Sequence, residues 1–113
     1  MAGKSAKDIT VKELTSLVMN QAEEKGFGTK PEDISVPEKI ALLHSEISEA
    51  YEAYRHNNMD GKDGFAEELG DVMQRVLHLS GIFNIDIEES ILKKLDNNKN
   101  RTWDWDKMNE KHK

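Results

Sequence analysis

Along the chain, apolar residues return every three or four positions in four separate stretches, and they scarcely alternate anywhere. The first stretch opens at Thr10, three residues before Glu13. That S/T-x-x-E spacing is a capping box. Leu14, Leu17, Val18 and Gln21 continue it as a helix to about Lys25, where Gly26 suits the C′ position. Residues 26–36, GFGTKPEDISV, read as loop. Ser35 and Glu38 open a second helix that runs to about His56, with Pro37 in the first turn, where its missing N–H costs nothing. The stretch HNNMDGKDG is a turn, since Asn, Asp and Gly tolerate the unusual dihedrals it needs. A third helix follows, from Lys62 or Asp63 to Phe83. Asp86 and Glu89 start a fourth that reaches about Asn98. The pattern predicts an all-α fold.

The second helix carries two stripes. Ile40, Leu43, Ile47, Ala50 and Tyr54 form one, expected to face the core. Leu42, Glu46, Glu49 and Ala53 form the other, turned from it by roughly 100°. Glu46 and Glu49 therefore sit among apolar neighbours instead of on a solvated back. The third helix has an expected core stripe of Phe65, Leu69, Val72, Val76, Leu79 and Phe83. Glu68, Asp71, Arg75 and His78 flank it. Gly70 in mid-helix costs about 1 kcal/mol relative to Ala, and close approach by a neighbouring helix or a ligand is the expected reason. In the fourth helix Ile87, Ile91 and Leu95 are expected to bury one side.

Glu46 with Glu49, and Glu68 with Asp71, are pairs at i and i+3, so each helix offers two carboxylates on one side. If these helices pack antiparallel, four acids converge. Four uncompensated charges in a partly desolvated place repel strongly, and divalent cations relieve that repulsion. Hard oxygen ligands suit Mg2+, with Mn2+ as a substitute. A di-iron bundle would want Glu-x-x-His, which occurs nowhere here. The bland alternative is that the acids are only a solvated face.

Composition narrows the picture. The chain has 113 residues, no Cys and a net charge of −6. That length fits one domain over 1–113, with 1–9 a flexible start and 102–113 a polar tail. Without Cys, disulfides and thiolate metal sites are excluded, which suits a reducing cytoplasm. No run approaches the roughly 18 apolar residues of a membrane span, and the first ten residues lack the apolar segment of a signal peptide. An acidic chain with no dense basic stretch argues against a nucleic-acid polymer as partner. A small phosphorylated ligand stays open, because bound metal inverts the local charge.

Other features are weaker. Lys94, Asn98 and Arg101 (K-x-x-x-N-x-x-R) share one side of the last helix if its final turn reaches Arg101, and their cations suit phosphate oxygens. The plain reading is cations favoured by the helix dipole. Arg75, four after Asp71, is expected to pair with that acid. His44, His56, His78 and His112 share no metal-ligand spacing. Trp103 and Trp105 are expected to clamp the tail onto the body or onto a neighbouring subunit.

Taken together, LLHSEISEAYEAYR, EELGDV and KKLDNNKNR resemble the MazG-type all-α nucleoside triphosphate pyrophosphohydrolases. Glu46 and Glu49 match the second and third acids of the family's E-E-x-x-E. Glu68 and Asp71 match its E-x-x-D, and Lys94, Asn98 and Arg101 match its K-x-x-x-N-x-x-R. Ser45 replaces the first glutamate, removing either a metal ligand or an outer contact. The family's frequent R-P…H-G ending is absent, since Arg101 leads into Thr102 and Trp103. The resemblance implies a four-helix bundle completed by oligomerisation, as a homodimer or homotetramer. It also implies Mg2+-dependent cleavage of a (d)NTP between the α- and β-phosphates, in nucleotide-pool housecleaning. Glu46, Glu49, Glu68 and Asp71 would hold metal and carry the catalysis, with Glu49 a candidate base, while Lys94 and Arg101 would steady the triphosphate. Three readings compete with this one: a phosphoribosyl-ATP pyrophosphohydrolase on the same scaffold, a non-enzymatic helical interaction module, and a degenerate family member that binds nucleotide without cleaving it, which Ser45 keeps open.

Overall fold

The computed structural model describes residues 8–102. Trp103, Trp105 and His112, with the role expected of the tail, lie outside the described residues. The architecture is all-α, as the periodicity requires: α1 (Val11–Lys25), α2 (Val36–Arg55), α3 (Phe65–Ile82) and α4 (Ile87–Lys99). A 3-10 turn, Pro31–Asp33, lies in the loop between α1 and α2.

Local chemistry sets the helix starts. At α1 the Thr10 hydroxyl accepts from the Glu13 backbone N–H at 3.1 Å, and the Glu13 carboxylate accepts in return from the Thr10 N–H. The Ser35 hydroxyl accepts from the Glu38 N–H, and the Asp86 carboxylate from that of Glu89. Each cap satisfies a donor that the first turn would otherwise leave orphaned. Gly26 closes α1 at φ 75°, a left-handed conformation that favours glycine.

The α2–α3 turn is built around Asn58. Its side chain donates to the Lys62 carbonyl and accepts from the Gly61 N–H, while its backbone carbonyl accepts from the Phe65 N–H. A Cβ at Gly64 would lie 2.7 Å from the Gly61 carbonyl oxygen, so only glycine fits as the residue leading into α3. That turn starts α3 at Phe65, later than the expected Lys62 or Asp63. Beyond it, the Tyr54 and Phe65 rings meet in a tilted contact at 5.8 Å.

Helix α3 is central, with α2 along one side and α1 along another, while α4 leans on α1. The buried apolar residues are Ala22, Ala50, Ala53, Leu77 and Ile82. Three of these are alanines, whose small side chains let the helix backbones come close, beside the larger Leu77 and Ile82. At Gly81 a Cβ would run into the Met19 side chain of α1.

Several packing expectations are corrected. On α2 the expected core stripe is largely open, with Ile40 exposed and Ile47 and Tyr54 each 55% exposed. The face turned to α3 lies between the two stripes and includes Leu42, Glu46, Ala50 and Ala53. Small residues at 50 and 53 allow that approach, and one neighbouring helix cannot cover both stripes. On α3 Leu69 is exposed, as is Phe83 just beyond its end, whereas Glu68, Leu77, Ser80 and Ile82 are buried, since α2 and α1 pack along different sides of the helix. Ile91 and Leu95 on α4 are exposed also. Gly70 has nothing within 4 Å of the place a Cβ would occupy, so no neighbour among the described residues explains it.

Candidate active site

The acids meet because two short-range facts combine. The i, i+3 spacing sets each pair on one helix side, and the Asn58 turn folds α3 back along α2. Glu46, Glu68 and Asp71 each present a carboxylate oxygen within 4.8 Å of the others. Glu68 is 7% exposed, Glu46 half-buried and Asp71 exposed, so the group opens to solvent on one side. Glu49 falls outside this tight set. It is exposed on the same helix and shares with Glu68 a second cavity, which Glu52, His56 and Asp63 also line. Three of the four expected acids thus converge, and the fourth stands beside them.

Burial pushes the Glu68 carboxyl from 4.5 up to about 7, reinforced by a hydrogen bond with Glu46 and by the negative charges of Glu49, Glu46 and Asp71. A carboxyl so placed holds its proton near neutrality unless a positive charge arrives. With both acids ionised, Glu46 Oε2 and Glu68 Oε2 are buried and take no donor from the described residues, so a proton shared between the two carboxyls or a bound cation is what satisfies them. Buried carboxylate oxygens ordinarily find donors, so two orphaned oxygens in one acidic cluster fit a divalent cation bound by hard oxygen ligands.

Arg75 departs from expectation. Its partner is Glu46 on the facing helix and not Asp71 one turn back. Nε donates to Glu46 Oε1 at 3.2 Å, and Nη2 stands 3.1 Å from the same oxygen as an ion pair. The exposed Asp71 carboxylate is better hydrated than the half-buried Glu46, which gains more from a donor.

Beside the cluster lies a cavity of about 320 Å3 between α1, α2 and α3. Glu46, Asp71 and Arg75 form one wall, and Gln21, Phe27, Lys39, Gln74 and His78 line much of the rest. His78 is tied to the Gly28 carbonyl at 2.9 Å, pinning the loop that carries Phe27. Sequence reasoning missed this wall. Its one available signal was an aromatic residue between two glycines, Gly26-Phe27-Gly28, in a polar loop.

Lys94, Asn98 and Arg101 are not brought to the acids within the chain. Helix α4 packs on α1, and none of the three lines either cavity flanking the cluster. The helix ends at Lys99, and Arg101 follows in a turn whose N–H bonds the Asn98 carbonyl.

The profile of the MazG nucleotide pyrophosphohydrolase domain matches residues 37–103, more than half of the chain. The chain belongs to the MazG nucleotide pyrophosphohydrolase family. No curated protein and no solved structure matches it. The MazG match spans both acid pairs, the Asn58 turn and all of α4, and it leaves α1 outside. Membership makes the general activity nucleotide pyrophosphohydrolysis and the substrate a small-molecule nucleotide. MazG proteins are typically metal-dependent, in keeping with the acidic cluster on α2 and α3. Among the described residues, no helix is long and apolar enough to cross a membrane.

Proposed function

We propose that the protein is a Mg2+-dependent (d)NTP pyrophosphohydrolase that cleaves between the α- and β-phosphates to give a nucleoside monophosphate and pyrophosphate. The observation that carries this reading is the convergence of Glu46, Glu68 and Asp71 with two buried carboxylate oxygens that take no donor from the described residues when ionised. A divalent cation there supplies charge neutralisation for the phosphates and activation of the attacking water. In this reading Glu46, Glu68 and Asp71 would hold the cation, and Glu49, just outside the tight set, would serve as the general base. The adjoining cavity receives the nucleoside, with Phe27 offering a stacking face and Gln21 and Gln74 offering amides to base or sugar.

Lys94, Asn98 and Arg101 belong to the reading as triphosphate contacts delivered by a second copy of the chain. Open apolar side chains on α2 and α4 (Ile40, Ile47, Tyr54, Leu92 and Leu95) support such an assembly, since monomers rarely leave so much unpartnered. Glu49→Gln and Asp71→Asn should each lose at least about 100-fold in turnover, the scale of removing a charge-stabilising group, with helicity by circular dichroism unchanged. Full activity in Asp71→Asn would overturn the assignment. Phosphoribosyl-ATP cleavage in place of (d)NTP cleavage would move the chain to the related reaction on the same scaffold.

A further inference from the structure

Among the described residues, Arg75 makes an ion pair with the acid cluster, while Lys39 lines the same cavity. Arg75 Nε donates to Glu46 Oε1 and its Nη2 lies against the same oxygen, while Glu46 Oε2 is buried and takes no donor. The Arg75 side chain is 38% exposed and lines the cavity together with Glu46 and Asp71. It thus stands at the boundary between the cluster and the space beside it. Its charge offsets part of the mutual repulsion of the three carboxylates.

The same charge opposes a divalent ion. A cation bound at Glu46 Oε2 would stand close to the Arg75 guanidinium on Oε1, and the two positive charges repel across that one carboxylate. A cation taking Glu46 therefore competes with Arg75 for it, and Arg75, on a flexible stem at the cavity wall, has solvent-facing room to leave. A guanidinium freed there is well suited to an anionic group, because its planar fork matches phosphate oxygens.

We propose that Arg75 is an internal counter-cation that guards Glu46 before metal arrives and, once displaced, becomes an anion contact in the adjoining cavity. The proposal rests on the metal-site reading above. It makes cation and phosphate binding mutually supportive, since each favours the state in which Arg75 has left Glu46.

The test is Mn2+ titration by calorimetry of the full-length protein without nucleotide, comparing wild type with Arg75→Gln and Arg75→Lys. Inorganic pyrophosphate is then titrated at saturating Mn2+. Arg75→Gln should bind Mn2+ about 3- to 10-fold more tightly and pyrophosphate about 10-fold more weakly, a coupling of the usual allosteric size. Arg75→Lys keeps the charge and should hold Mn2+ affinity near that of wild type. Equal or weaker Mn2+ binding by Arg75→Gln, with wild type binding normally, overturns the counter-cation role and leaves the metal site standing. Unchanged pyrophosphate affinity overturns the anion-contact role. Absence of Mn2+ binding in wild type and variants alike overturns the metal site itself, and this inference with it.

Discussion

Replacing Asp71 by Asn should stabilise the protein without metal and remove its response to metal. Carboxylate oxygens of Glu46, Glu68 and Asp71 lie within 4.8 Å of one another. At that separation and an effective dielectric near 20, the Coulomb repulsion of Asp71 with the Glu46 charge is on the order of 3 kcal/mol. Asp71 is exposed and Arg75 partly neutralises Glu46, so about 1–2 kcal/mol survives as a net gain in Asp71→Asn. For a domain of this size that corresponds to a rise of about 4–8 °C in the metal-free melting temperature. With Mg2+ at 100 times its Kd, wild type gains about 2.7 kcal/mol and the variant, short of one ligand, gains little. The order of stabilities therefore reverses between EDTA and Mg2+. Differential scanning fluorimetry in both buffers reads the crossing directly. If both proteins melt together in both buffers, the acids are only a solvated face and the argument fails.

Glu68 gives the metal-free protein an unusual pH dependence. Its carboxyl titrates near 4.5 when unfolded and about 7 when folded, so the folded state holds the extra proton between those values. Its contribution to stability is complete below about pH 4.5 and lost as the pH rises through about 7. In EDTA the melting temperature should fall over that range more in wild type than in Glu68→Gln, and Mn2+ affinity should rise over the same range because binding expels the proton. Parallel pH profiles for the two proteins would remove the perturbed carboxyl from the account. Gly70→Ala, on an exposed turn of α3 with nothing within 4 Å of the new Cβ, should gain about 0.5–1 kcal/mol from helix propensity alone. A loss of stability there, measured against protein concentration, would mean that another surface packs on that turn in solution.

What the sequence reveals here is mostly local. Thr10 with Glu13, Ser35 with Glu38 and Asp86 with Glu89 lie three residues apart, and a cap is decided by those few atoms. The acid pairs were legible for the same reason, needing only helical spacing and one short turn to meet. Which face of α2 would be buried was not legible, since both stripes carry apolar residues and the choice depends on Ala50 and Ala53 meeting a helix elsewhere in the chain. The partner of Arg75 was misread because an acid four residues back competes with one 29 residues away, and relative burial decides between them. Lys94, Asn98 and Arg101 form a motif on their own helix, but periodicity carries no information that α4 leans on α1 and not on the acids. Membership in the MazG family ties the two motifs to one chemistry, and the assembly proposed above is what would bring them to one place.

The central claim is the bond that is cut. The most direct measurement incubates the purified protein with Mg2+ and each of the eight common NTPs and dNTPs in turn, separating products by anion exchange. The account predicts nucleoside monophosphate and pyrophosphate in equal amounts, abolished by EDTA and by Asp71→Asn. Nucleoside diphosphate with orthophosphate would place the cleavage at the β–γ bond and contradict it.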